Sequence, residues 1–253
     1  METLKSKKIA ILVGGMYREF DVAHKSWSFL NHQDSDFFIS TWNKTFEINE
    51  KLNTHIQEDV DESRIKTHLP NANIKISEDT TNFTYIYKLI YHWKTLVNMV
   101  KKSGNKYDIA ILTRPDFCIK ENINLNEFID NINNGNVYST TNVEVFPRFP
   151  YIYVNDCFFI SKYENIERMI NFLDMKSEFD DIHIYLSKYF IDNRIYVESI
   201  SPKLIEYYVC RSIHRKTQNL DFYENKKIGI DWWDIKNKDK VSDELIENIK
   251  KYV

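Results

Sequence analysis

Apolar residues in this chain fall into two patterns: unbroken runs closed by turn formers, and series spaced three and four apart. The first predicts buried strands. The second predicts amphipathic helices, whose side chains return to one face about every 3.6 residues. Lys8 to Val13, closed by Gly14-Gly15, reads as a buried first strand. Val22 to Leu30 reads as a helix, and Asp36-Phe37-Phe38-Ile39-Ser40-Thr41-Trp42 as a second buried strand. Residues 43–82 are polar and weakly periodic, with Ile74-Lys75-Ile76 as a short strand and a polar loop from Glu78 to Asn82. Phe83, Ile86, Tyr87, Ile90, Trp93, Val97 and Val100 keep helical spacing. They predict the clearest helix, over 83–102, closed by Ser103-Gly104. Tyr107 to Thr113 is the next strand and Leu125 to Asn131 a short helix. Asn136 to Thr140 and Ile152 to Ser161 read as strands, Tyr163 to Met175 and Ile182 to Phe190 as helices, and Ile195 to Ile200 as a late strand. Ser242 to Tyr252 is a terminal helix with Ser242 as its cap. Strands alternate with helices, which predicts an α/β fold with a mostly parallel sheet flanked by helices. No internal repeat and no Pro- or Gly-rich linker divides the chain, so residues 1–253 are expected to form a single domain.

Composition narrows the class. Hydrophobic residues make up 43% of the 253, enough for a packed core and too many for a disordered chain. The net charge is −3 and the basic residues are scattered. Without a basic stripe, nucleic acid is not an expected partner. The many aromatics belong mainly to the core, with some free to line a cleft suited to sugars or bases. Cys118, Cys157 and Cys210 show no C-x-x-C spacing and cannot all pair internally, which fits a reducing compartment. Ile9 to Val13 is too short for the apolar part of a signal peptide, and no stretch approaches the ~20 apolar residues of a membrane span. A cytoplasmic protein is expected, compatible with peripheral contact to a membrane surface.

Four places carry candidate chemistry. Gly14-Gly15-Met16-Tyr17-Arg18 follows the first strand. The glycines permit close backbone approach to a ligand, and Arg18 can meet a phosphate with its fork; the plainer alternative is a tight turn with a surface arginine. The run is neither G-x-G-x-x-G nor a P-loop, which removes support for a Rossmann dehydrogenase and for a P-loop kinase. Arg114-Pro115-Asp116 follows the strand from Tyr107 to Thr113 as an expected exposed rim. Asp116 can ligate a divalent cation or accept from a sugar hydroxyl, and Arg114 can neutralise phosphate; the alternative is a surface salt bridge. Asn155-Asp156 interrupts an apolar strand. A buried carboxylate without partners is costly, so Asp156 either pairs, with Arg148 for instance, or faces a cleft as general base. Trp42, at a strand's end, can stack on a base or sugar, and Lys88 belongs to a looser set with Tyr87, Trp93 and Lys94. Trp93 itself reads as core, and His92 as a polar helix residue with no metal-ligand spacing around it. Asp34-Ser35-Asp36 matches the letters D-x-D but precedes its strand, so it reads as a solvated turn. Asp231-Trp232-Trp233-Asp234 reads as packing. No G-x-S-x-G elbow occurs, and the cysteines lack an obvious histidine partner.

Four of these segments, in order, resemble a group of GT-A-like glycosyltransferases found in bacterial surface-polysaccharide clusters and in large viruses. Lys8 to Phe20 resembles their strand, small-residue turn and arginine. Asp36 to Trp42 resembles a second strand ending in Thr-Trp. Tyr107 to Asp116 resembles a "YD…R-x-D" strand, and Asn155 to Ile160 a later "D-x-F" strand. The likeness covers residues 7–175. It implies a GT-A-like (Rossmann-like) single domain, with about 1–175 as nucleotide-sugar core and about 176–253 contributing to the acceptor side. It further implies a nucleoside-diphosphate-sugar donor and a hydroxyl acceptor on a glycan or lipid-linked glycan. Gly14, Gly15, Arg18, Trp42, Arg114 and Asp116 would then bind the donor, Asp156 act as base, and Asn155 and Lys88 serve the acceptor or an auxiliary role. An arginine stands where such enzymes carry the first acidic residue of D-x-D, which leaves metal dependence open: Arg114 can do part of a metal's work, or Asp116 alone can hold Mg²⁺ or Mn²⁺. Inversion and retention both stay open. A sugar nucleotidyltransferase and a non-catalytic glycan- or nucleotide-binding module are the alternatives.

Overall fold

The computed structural model describes residues 7–18, 20–27, 34–49, 54–79, 84–119, 129, 132, 135–140, 154–174, 182–195, 197–200 and 207–209. Its centre is a seven-stranded sheet of β1 (Ile9–Gly14), β2 (Ser35–Trp42), β5 (Asn73–Ser77), β6 (Ile109–Thr113), β8 (Val137–Ser139), β9 (Phe158–Lys162) and β10 (Val197–Ser199). The strand order is β10-β8-β9-β6-β1-β2-β5. All pairings are parallel except those of β9, which runs antiparallel to both β6 and β8. A mostly parallel sheet flanked by helices is what the alternating pattern predicts.

Every residue of β1 and of β6 is buried, as strands covered on both faces require. Their alternation sorts side chains into two cores. Ala10, Leu12, Ala110 and Leu112 pack with helices α3 (Tyr85–Ser103), α4 (Tyr163–Asn171) and α5 (Ile182–Asp192). Ile9, Ile11, Ile109 and Ile111 pack on the other face, with Tyr17, Phe20, Trp27 and Ile65. Helix α3 begins where the Thr84 side chain accepts from the Tyr87 N–H, and ends where Gly104 takes a left-handed φ of 70°. Its buried Trp93 and Leu96 lie against the end of β1. A Cβ on Gly14 would come 2.9 Å from Leu96 Cδ1 and 3.0 Å from Trp93 Cδ1, so the glycine lets helix and strand close together.

Several expectations are corrected. The helix over 22–30 is α1 (Phe20–Ala23) followed by a 3-10 turn, His24–Ser26. The polar stretch 43–82 holds an antiparallel hairpin, β3 (Lys44–Asn49) with β4 (Thr54–Asp59), and a short helix α2 (Glu62–Lys66) as well as β5. Too few apolar residues mark the hairpin for periodicity to announce it. β7 (Phe117–Ile119) pairs with an unforeseen β11 (Tyr207–Val209). Within the strand expected over Ile152 to Ser161, Val154 to Cys157 are not strand and β9 begins at Phe158, so Asn155-Asp156 stands before it, while Ile152 and Tyr153 lie outside the described residues. Arg148, Asp231-Trp232-Trp233-Asp234, Cys210, the terminal helix and nearly all of the helix expected from Leu125 lie outside the described residues. Among the described residues no helix is long and apolar enough to cross a membrane.

Candidate functional site

The strand order reverses direction around β1: β2 and β5 lie on one side, β6 and later strands on the other. Ligands in open α/β sheets bind at such a switch point, beyond the carboxyl ends of the strands. A narrow open cleft lies there, lined by Gly15, Met16, Arg18, Trp42, Arg114, Pro115 and Asp116 from strand ends and by Tyr85, Lys88, Leu89 and His92 from α3.

The turn after β6 is set by its sequence. Pro115 occupies the position that favours a fixed φ, and the Phe117 N–H closes the turn onto the Arg114 carbonyl at 3.3 Å. Arg114 and Asp116 thereby meet in a fork: Nε to Oδ1 at 2.9 Å and Nη2 to Oδ2 at 2.8 Å. Because β9 runs backwards, the residues before it arrive at the same edge. Asp156 receives Arg114 Nη1 at 3.2 and 3.0 Å and the Tyr85 hydroxyl at 3.1 Å. The expected exposed rim is therefore a buried lock, with side-chain exposures of 13% for Arg114, 2% for Asp116 and 1% for Asp156. Burial alone would raise the Asp156 carboxyl, but the Arg114 guanidinium outweighs it and holds the group below the usual carboxylate range. Burial alone would likewise lower Arg114, and Asp116 and Asp156 push it well above its ordinary value instead. Burial pushes the neighbouring Cys157 thiol up, leaving it a poor nucleophile.

The predicted site residues separate into three groups. Gly15, Arg18, Trp42, Lys88, Arg114 and Asp116 line the cleft. Gly15 needs its glycine, with φ at 128°. Among the described residues the Arg18 guanidinium makes no ion pair or hydrogen bond. Lys88 is held by Asp79 at 2.7 Å. Trp42 is 3% exposed, stacked on Tyr91 with ring centroids 5.2 Å apart, so it is a wall rather than an open platform. Gly14 turns its Cα hydrogens toward α3 and is absent from the lining. Asp156 and Asn155 lie behind the lining. Asp156 has its oxygens taken up by Arg114, Tyr85 and Cys157. A carboxylate so held is a weak proton acceptor, and Asp156 holds Arg114 rather than facing the cleft as the expected general base. Asn155 Oδ1 accepts from the Cys157 N–H at 3.0 Å and shapes the turn. Asp156 pairs with Arg114; Arg148, named above as a partner for it, lies outside the described residues. Asp36, of the D-x-D letters, lies at the amino edge on Lys8 and Tyr107, away from the cleft.

The sequence does not single out Tyr85 and reads His92 only as a polar helix residue, yet both line the cleft. Tyr85 leaves 44% of its surface open while its hydroxyl reaches the lock. His92 is fully buried, with Nδ1 2.8 Å from Ser40 Oγ and no hydrogen-bond partner at Nε2. Burial lowers its imidazole to about 3, so it stays neutral. Tyr85, Lys88, Leu89 and His92 recur at helical spacing, and that stripe beside the apolar one was the available signal. Among the described residues no group of three or more His, Cys, Asp or Glu side chains is placed to hold a metal ion. No protein-family model matches the chain, and no curated protein matches it either.

Proposed function

We propose that the protein is a GT-A-type glycosyltransferase that moves a sugar from a nucleotide sugar to a hydroxyl of a glycan or lipid-linked glycan. The observation that carries this is Arg18: a cation without a protein partner among the described residues, one turn beyond β1, at the switch point of a mostly parallel sheet. A free guanidinium there suits the phosphates of a donor, and a charge aimed at the leaving nucleotide stabilises the transition state as negative charge gathers on it. Gly15 brings backbone close to the same place, and Trp42 with His92 forms the wall under β2 where a base or ribose fits. Asp116 and Asp156 do not face the ligand as acids. They hold Arg114 and, through Tyr85, the first turn of α3.

A thermal-shift screen of UDP-, GDP-, dTDP- and CMP-sugars tests this. One nucleotide class should raise the unfolding temperature, and a ligand at 100 times its Kd adds about 2.7 kcal/mol. No shift with any of them would remove the donor from the account. Release of pyrophosphate from a nucleoside triphosphate and a sugar phosphate would instead favour a nucleotidyltransferase.

A further inference from the structure

Resting on the glycosyltransferase reading, we infer that the Arg114 guanidinium is the resident cation of this carboxylate pair, and that the nucleotide sugar binds without a divalent metal ion on Asp116 or Asp156. Mg²⁺ demands near-octahedral oxygen ligands, and Mn²⁺ favours oxygen ligands as well. Each carboxylate offered to such an ion must turn a lone pair toward it. Here both Asp116 oxygens accept from one edge of Arg114, at 2.9 and 2.8 Å. Both Asp156 oxygens accept from Nη1, at 3.2 and 3.0 Å, with the Tyr85 hydroxyl on one and Cys157 Sγ on the other. The seat between the two carboxylates, where a metal would bridge them, is filled by a planar cation.

The arginine is also fastened from its backbone. Its N–H donates to the Cys157 carbonyl at 3.3 Å, and Pro115 fixes the turn that follows. An ion drawing on either carboxylate would have to evict this side chain or settle against its positive charge. Two carboxylates and one guanidinium leave a net charge of −1, so Arg114 locks the site and does not itself receive the anion. That task falls to Arg18, which keeps its charge for the ligand.

The test is calorimetric titration of the wild-type protein with UDP, GDP, dTDP and CMP, each in EDTA and again in excess MnCl₂. The nucleotide that binds should do so with dissociation constants less than about tenfold apart in the two buffers. Binding that needs Mn²⁺, with a loss of more than about tenfold in EDTA, overturns the inference and leaves the glycosyltransferase reading standing. No binding in either buffer overturns both. A reciprocal variant sharpens the result. Arg114→Met vacates the seat between two carboxylates, so Mn²⁺ alone should raise its unfolding temperature, and adding Asp116→Asn should cancel that rise. A Mn²⁺-induced rise in the wild type that Asp116→Asn removes would contradict the inference, as would a folded Arg114→Met that ignores Mn²⁺. If Arg114→Met does not fold, the wild-type titration decides.

Discussion

The molecule contains the same arginine device twice. Arg64, on α2, donates Nε and Nη2 to Asp21 and Nη1 to Glu58, while the Tyr17 hydroxyl donates to Asp21. Arg114 donates Nε and Nη2 to Asp116 and Nη1 to Asp156, while the Tyr85 hydroxyl donates to Asp156. Both join an arginine, two carboxylates and a tyrosine, though the hydroxyl goes to the Nε/Nη2 acceptor in one and to the Nη1 acceptor in the other; the surroundings differ more. Arg64, Asp21 and Glu58 keep 24, 25 and 31% of their side chains exposed, against 13, 2 and 1% for Arg114, Asp116 and Asp156. Near the surface, water and salt screen such a network and it contributes little. Inside, each charge needs its partner, and the loss of one leaves another stranded. The outer cluster clasps α1 to α2. The inner one sits at a switch point, where a rigid arrangement can shape a ligand site.

Removing the Nη1 acceptor from each cluster breaks the comparison most sharply. Asp156→Ala should cost about 3–5 kcal/mol, because it strands part of a buried guanidinium. Urea unfolding measures this, and a loss comparable with that of an exposed ion pair would place the inner cluster with the outer one.

The histidines sharpen the contrast next. His92, beside the inner site, is held neutral by burial, which lowers it to about 3. An unfolded histidine titrates near pH ~6.5, so the unfolded chain binds the proton that the folded protein refuses. Stability is therefore full above pH ~6.5 and falls as the pH drops toward about 3, by up to about 1.4 kcal/mol per pH unit. His24, beside the outer cluster, is lowered by burial and by His68, whose ring centroid is 4.1 Å away, and adds to the same slope. The Asp156 and Asp21 carboxyls are lowered too, but as acids their contributions are present above the ordinary carboxylate range and are lost as the pH falls through and below it. His92→Gln should remove most of the decline between pH ~6.5 and ~4.5. An unchanged slope in denaturation curves across that window would deny His92 its part.

The smallest effect belongs to the outer cluster. Glu58→Ala should cost less than about 1 kcal/mol, and the cost should shrink as salt is raised. The Asp156→Ala cost should hardly respond to salt.

The parts of the fold that were legible are those where burial dictates composition. β1 and β6 are almost wholly apolar because both faces are covered, and α3 carries its stripe because one face packs on the sheet. The hairpin β3–β4 and strand β11 escaped because pairing between backbones leaves little mark on composition. For the site, Gly15, Arg18, Trp42, Lys88, Arg114 and Asp116 were legible as residues at the carboxyl ends of strands or on the helix nearby. The role of Asp156 was not. It depends on β9 running backwards, which carries residues 155–157 to the edge where Arg114 emerges. Strand direction is a long-range property, and apolar runs such as Phe158-Phe159-Ile160 look the same either way.

In the proposed donor site Arg18 meets the phosphates of a nucleotide sugar in this cleft. Titrating wild type and Arg18→Ala side by side, with the nucleotide sugar that stabilises the wild type, tests it most directly. A charge-assisted hydrogen bond of about 1.5–3 kcal/mol predicts affinity weaker by about tenfold or more in Arg18→Ala, with unfolding temperature unchanged in the absence of ligand. Equal affinity in the two proteins would contradict it.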